Sequence, residues 1–192
     1  DGGVGLGSNG LPLNWTSSDV GYPGEAGAAV YGDSKFKISG GGHDWFYSAQ
    51  RYHYAYTSLA GDGELVALVT PGVGGSSTSR SGLVIRESLS IGDGYFAVYV
   101  ADDGRLGYGY RRSFGLFSFS GFTDSTLNQS VWLKVKRVGS ILTGYYSTDS
   151  TNWNVIYSKD ISLDDAVYIG MAVTSGDSDL SSDASFERVR LK

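Results

Sequence analysis

Hydrolysis of a glycosidic bond needs two carboxyl groups about 5–10 Å apart, one on each side of the scissile bond. The chain offers four glutamates, Glu25, Glu64, Glu87 and Glu187, and none has a second acid two or four residues further along its strand. Glu64 and Glu87 could meet only across neighbouring strands, which no spacing requires. Serine-type acyl transfer needs a histidine oriented by an acid beside a nucleophile. Only His43 and His53 are present, and no Gly-x-Ser-x-Gly turn occurs. The chain has no cysteine, so thiol nucleophiles, disulfides and thiolate metal sites are excluded. Two histidines without cysteine also make a poor zinc set. The residue types argue against an enzyme.

Sugar recognition asks for other residues: flat aromatic rings for the C–H faces, and planar partners such as Arg, Asp or Glu for the hydroxyls. Gly40-Gly41-Gly42-His43-Asp44-Trp45-Phe46-Tyr47 packs three consecutive aromatics into a glycine-rich loop. Adjacent residues cannot all face one core, so a ring is expected at the surface. Tyr108, Tyr110 and Arg112 share one face of an expected strand, and Arg86 shares a face with Val84 and Ser88. The candidate ligand-binding set is Asp44, Trp45, Tyr47, Arg86, Glu87, Tyr108 and Arg112. Calcium takes oxygen ligands, and the run from Asp177 through Asp179 to Asp183 is the best local candidate for a structural ion. That run lacks the glycine and the closing glutamate of an EF-hand.

The elements that must position these residues are strands. Tyr52, Tyr54 and Tyr56 alternate onto one face and are assigned to the core. Gly61-Asp62-Gly63 leads into Glu64-Leu65-Val66-Ala67-Leu68-Val69 as a hairpin signal, and Val131, Leu133 and Val135 oppose Lys134 and Lys136. Further strands are expected at 82–89, 94–101, 105–112, 115–119, 141–147, 153–158, 167–174 and 184–191. Gly, Asp, Asn and Ser clusters punctuate them. Helical periodicity is nearly absent. In 192 residues with 29 Gly, 41% hydrophobic and 14% aromatic residues, this spacing points to an all-β sandwich rather than a disordered or collagen-like chain. Residues 1–14 read as a Gly-rich strap or linker, and 15–192 as one β-sandwich domain. A net charge of −5, with Arg111-Arg112 as the longest basic cluster, argues against nucleic acid. No apolar run approaches 18 residues, so membrane insertion is not expected. The opening at Asp1, without a leader pattern, reads like a mature product or a module of something longer.

Several stretches resemble one family in order. Phe36-Lys37-Ile38-Ser39-Gly40-Gly41-Gly42-His43-Asp44 is similar to F-x-V-x-G-x-G-x-D, and Tyr52-His53-Tyr54-Ala55-Tyr56 to F-H-Y-V-Y. Gly82-Leu83-Val84-Ile85-Arg86-Glu87-Ser88-Leu89 resembles A-G-V-M-I-R-E-S-L. Trp132-Leu133-Lys134-Val135-Lys136-Arg137, Tyr146-Ser147-Thr148-Asp149 and Val167-Tyr168-Ile169-Gly170-Met171-Ala172-Val173 continue the pattern. Over about residues 15–190 these resemble the concanavalin A-like lectin/glucanase domain, the accessory, carbohydrate-binding-module type of bacterial and archaeal exported proteins. The resemblance implies a two-sheet antiparallel jelly-roll β-sandwich, extracellular or at the cell surface and tethered to other domains. It implies a polysaccharide or oligosaccharide as the partner, bound on the concave sheet or its loop rim, and no catalysis. The alternative readings are a structural or adhesive domain and, less favoured, a glucanase-like hydrolase. Where the family has Ile-Trp-Gly, this chain has Trp45-Phe46-Tyr47, a change that either reshapes a pocket or fills it.

Overall fold

The computed structural model of the chain describes residues 4–43, 45, 50–112, 117–127 and 129–192. Fourteen strands are formed among them: β1 (Thr16–Val20), β2 (Ala28–Gly32), β3 (Lys35–Gly42), β4 (Tyr52–Ala60), β5 (Gly63–Val73), β6 (Arg80–Arg86) and β7 (Tyr95–Ala101). The second half adds β8 (Arg105–Arg111), β9 (Ser118–Thr126), β10 (Val131–Val138), β11 (Ile141–Ser147), β12 (Asn154–Asp160), β13 (Ala166–Thr174) and β14 (Asp177–Leu191). They build two antiparallel seven-stranded sheets, sheet 1 in the order β1-β4-β13-β6-β7-β8-β9 and sheet 2 in the order β12-β11-β10-β5-β14-β3-β2. The architecture is the all-β two-sheet sandwich expected from the alternating runs.

Alternation decides which side chains meet between the sheets. From sheet 2 come Leu65, Ala67 and Val69, Val131, Leu133 and Val135, Phe36, Ile38 and Phe186. From sheet 1 come Ala55, Leu83, Ile85, Phe96, Val98, Val100, Ile169 and Met171, and all of these form one buried cluster. Burying a side chain of this size contributes roughly 1.5–3 kcal/mol. At Gly144 on β11 the sheets approach closely. A Cβ there would stand 2.0 Å from Val98 Cγ1 of the facing sheet and 3.4 Å from Phe96.

Four elements differ from their expected form. β1 and β2 lie outside the expected strands: both are short and partly exposed, β1 being mostly Ser, Thr and Asp, and β2 having two alanines and a glycine among its five residues. The Asp-rich run 177–183, expected as a loop, belongs to the fifteen-residue β14. The pairing of β14 with β3 jumps from Asp177↔Gly42 to Ser182↔Gly40, so a bulge absorbs the extra residues while the strand continues. The strand expected at 115–119 runs from 118 to 126 where described. Upstream of β1, Gly7 and Leu13 donate backbone hydrogen bonds to Leu11 and Gly5, and Leu11 inserts into the main core.

The tight approach at Gly144 can be tested directly. Gly144→Ala is expected to lower unfolding free energy by about 1–3 kcal/mol, the usual cost of overpacking, read as an earlier urea midpoint at unchanged slope.

Candidate functional site

Sheet 1 is apolar on both faces. All seven residues of β7 are buried, which one-sided alternation cannot produce. The strand registers place Tyr52, Tyr54 and Tyr56 of β4 and Tyr95 and Tyr99 of β7 on the outer face. The small residues Gly170, Ala172, Gly82, Val84 and Ala97 lie on the same face. Tyrosines on β4 and β7 thus flank a trough of small residues. They form a second buried cluster, separate from the one between the sheets. The Tyr52, Tyr54 and Tyr56 stripe is interior, as expected, but in this outer layer.

Two segments cover the trough. Trp45, only 1% exposed, bridges it, with its ring centroid 5.6 Å from both Tyr52 and Tyr99. The connection from β6 to β7 folds over the rest. The Glu87 carboxylate accepts from the Gly94 N–H at 2.8 Å, and the Ser88 hydroxyl donates to Asp93 at 2.5 Å. Two buried guanidinium groups pin this connection from below. Arg86 donates to the Tyr52 hydroxyl and to the carbonyls of Ser88 and Ser90. Arg111 donates to the Ile91 carbonyl at 2.5 Å and twice to the Ser118 hydroxyl.

These positions bear on the sequence-based candidates. Trp45 offers no ring face to solvent and Arg86 spends its fork on protein oxygens, so the geometry corrects the expectation that they stack and grip a sugar. Glu87 closes a loop. Asp44 and Tyr47 lie outside the described residues. Glu64 stands on sheet 2, 3.9 Å from Lys192, and Glu87 follows a strand of sheet 1, so each carboxylate has its own surroundings. His53 Nδ1 lies 2.7 Å from Asp19 Oδ1, which also accepts from the Gly27 N–H. His43 Nδ1 meets the Gly176 carbonyl at 2.9 Å. Both imidazoles therefore hold backbone connections in place.

The calcium expectation fails on geometry. Asp177 Oδ1 accepts from the Asp179 N–H at 2.8 Å, while Asp183 sits beyond the bulge beside Ser39 and Val73. Among the described residues no three His, Asp or Glu side chains converge as a metal set. Asp177, Asp179 and Asp183 therefore do not form a calcium-ligand set.

Tyr108 and Arg112 lead to an open site. Tyr108 faces inward at the end of the sandwich, where its ring lies 3.8 Å from Tyr157 at an interplanar angle of 3°. Tyr157 in turn stacks on Tyr110 at 5.7 Å, and Tyr110 on Phe119 at 5.2 Å. This ladder spans β8, β12 and β9 and runs outward to solvent, with Phe119 53% and neighbouring Phe117 72% exposed. Beside it lies a cleft of about 440 Å³, lined by Arg112, Asp160, Ile161 and Ser162. Arg112 makes no hydrogen bond or ion pair to any described residue, and Lys159 Nζ sits 5.4 Å from the Tyr110 ring. Sequence reasoning found Tyr108 and Arg112 but missed Asp160, because the approach of β12 to β8 is a tertiary contact with no local signal.

No protein-family model matches the chain, and no curated protein matches it in sequence. Solved structures share its fold. A functionally unknown protein from Saccharomyces cerevisiae is 14% identical with a TM-score of 0.73, over 93% of this chain and 96% of that one. The GH43 protein BlXynB from Bacillus licheniformis is 14% identical with a TM-score of 0.63, over 82% of this chain but only 32% of that one. The chain thus spans about a third of that protein. The carbohydrate-binding module CBM66 from Bacillus subtilis is 12% identical with a TM-score of 0.53, over 93% and 95%. At these identities the likeness establishes the sandwich fold.

The buried outer layer makes stability sensitive to alkali. Burial raises the pKa of Tyr52, Tyr54 and Tyr95 above the ordinary phenol value of 10.0, the Arg86 charge offsetting only part of this at Tyr52. Below the unfolded value these rings are neutral in both states and their stabilisation is complete. Above it the unfolded chain ionises first, and each ring withdraws about 1.4 kcal/mol per pH unit until its folded pKa is reached. Unfolding monitored by fluorescence should therefore coincide with a cooperative rise in tyrosinate absorbance above pH ~10. Arg86→Ala should cost about 2–4 kcal/mol by stranding buried oxygens, and Arg86→Lys should restore little because the fork is lost.

Proposed function

We propose that the chain is a non-catalytic carbohydrate-binding domain of an exported protein, engaging an oligosaccharide or polysaccharide at the open end of the sandwich. The observation that carries this reading is the graded aromatic ladder, which ends at exposed Phe119 next to Arg112, which bonds to no described residue, and the acid Asp160. Phe119 and Phe117 supply a platform for a sugar C–H face. Arg112 and Asp160 supply a planar donor and acceptors for vicinal hydroxyls. Tyr108 positions the platform from beneath rather than touching the ligand. One cation and one anion side by side suit a neutral sugar. The likeness to a carbohydrate-binding module supports the reading at the level of fold. Tethering to further domains accords with it, since about a third of the BlXynB chain is matched.

A second reading has its own observation. β9 is an edge strand of sheet 1 and displays Phe119 and Phe122 to solvent, with Phe117 exposed just before it, as an adhesive surface would.

Affinity electrophoresis against a panel of neutral polysaccharides separates the two. Wild type is expected to be retarded by at least one, weakly, because a short sugar buries little area. Phe119→Ala and Arg112→Ala should each weaken binding about fivefold to tenfold without a change in melting temperature. Retardation by none would transfer the edge to a protein partner. Reducing-sugar release from any retarding glycan would contradict the non-catalytic assignment.

A further inference from the structure

A second cleft, of about 510 Å³, opens where the β1–β2 connection meets the segments that cover sheet 1, and its lining includes Gly21, Tyr22, Arg51, Leu89, Ser90 and Ile91. Its walls are held from behind. Gly21 adopts φ +70°, and a Cβ there would lie 2.1 Å from the Gln50 carbonyl, so only glycine lets the two chains close to this distance. The Ser90 and Ile91 carbonyls are gripped by Arg86 and Arg111, as described above. A cleft with fixed walls loses little ordering entropy on binding.

Two side chains at its mouth make no polar side-chain contact with any described residue. Tyr22 is 90% exposed, a bare ring on a backbone that the following Pro23 confines to extended conformations. The Arg51 guanidinium makes no hydrogen bond or ion pair to any described residue, although the Arg51 carbonyl accepts from Thr174. Among the described residues no acid lines this cleft. Its described lining therefore carries one positive charge next to a flat ring, whereas the edge cleft has the acid Asp160 in its wall as well as Arg112.

We propose that this cleft is a separate saccharide site for a sugar bearing a carboxylate, with Tyr22 stacking on the ring and Arg51 forking onto the carboxylate. A guanidinium matches a carboxylate with two parallel hydrogen bonds, and a site with no anion of its own has nothing to repel one. The site shares no residue with the edge, so it stands or falls apart from the reading given there.

Isothermal titration with trigalacturonate and with its fully methyl-esterified form tests the assignment. The free acid is expected to bind wild type, and the ester, alike in shape but without charge, to bind at least about tenfold more weakly. Arg51→Gln should weaken the acid at least about tenfold, and Arg51→Lys less, because charge survives and the fork does not. Tyr22→Ala should weaken acid and ester alike. Tyr22 is exposed and the Arg51 guanidinium bonds to no described residue, so these variants should keep the wild-type melting temperature. The proposal is overturned if trigalacturonate does not bind, if acid and ester bind equally, or if Arg112→Ala rather than Arg51→Gln abolishes binding. The neutral-glycan experiment at the edge uses other ligands and other residues, so failure of one reading is distinguishable from failure of the other.

Discussion

The outer layer of sheet 1 depends on the buried guanidinium of Arg86. Taking such a cation out of water costs several kcal/mol unless its donors find acceptors. Here they end on the Tyr52 hydroxyl of β4 and on two carbonyls of the connection that follows β6. The same contacts that make the charge tolerable draw that connection across the sheet. Once it lies there, Tyr52, Tyr54, Tyr95 and Tyr99 lose their solvent, Trp45 has a bed to settle into, and a second core forms behind the first. Arg111 repeats the arrangement one sheet edge further on. Desolvation thus links a side chain at a strand end to the burial of an entire face.

That layer also decides where recognition can occur. A sheet face rich in tyrosine and arginine has the composition of a sugar-binding groove, yet in this protein it is packed. The exposed aromatic and guanidinium groups stand around its perimeter, at the end of the β8–β9 hairpin and at the β1–β2 connection. Each has a buried counterpart directly behind it: Tyr110 and Tyr157 behind Phe119, Arg86 and Arg111 behind the wall beside Tyr22. Rings and carbonyls held in this way supply direction that a solvated side chain alone would lack.

Much of this was legible in the sequence. The alternation of Val131, Leu133 and Val135 against Lys134 and Lys136 reports a strand with one buried face. The regular spacing of such runs reports a sandwich. Alternation separates two faces but does not say what covers each. For that reason Tyr52, Tyr54 and Tyr56 could be called interior without revealing which core they enter, and Trp45 read as exposed when it is the plug of the trough. Asp177, Asp179 and Asp183 read as a loop because acids and serines favour turns, but ladder pairing with β3 overrides that preference across a bulge. Tyr22 was passed over although Gly21-Tyr22-Pro23-Gly24 is a turn with an aromatic at its tip. It belongs to no periodic run, and that was the available signal. Arg112 and Asp160, which line one cleft, lie nearly fifty positions apart, for which local pattern offers nothing.

β9 lends the aromatic edge a further property. Its nine residues carry one charge, at Asp124, and no proline or lysine, so its outer row of N–H and C=O groups is unguarded against another extended chain. A strand added there would come to lie across Phe117 and Phe119. Anything seated on those rings and any chain extending the sheet therefore compete for the same surface. By mass action, occupancy of the edge by a small ligand favours the dispersed protein over the associated one. The site and the colloidal behaviour of the domain are two readings of one equilibrium.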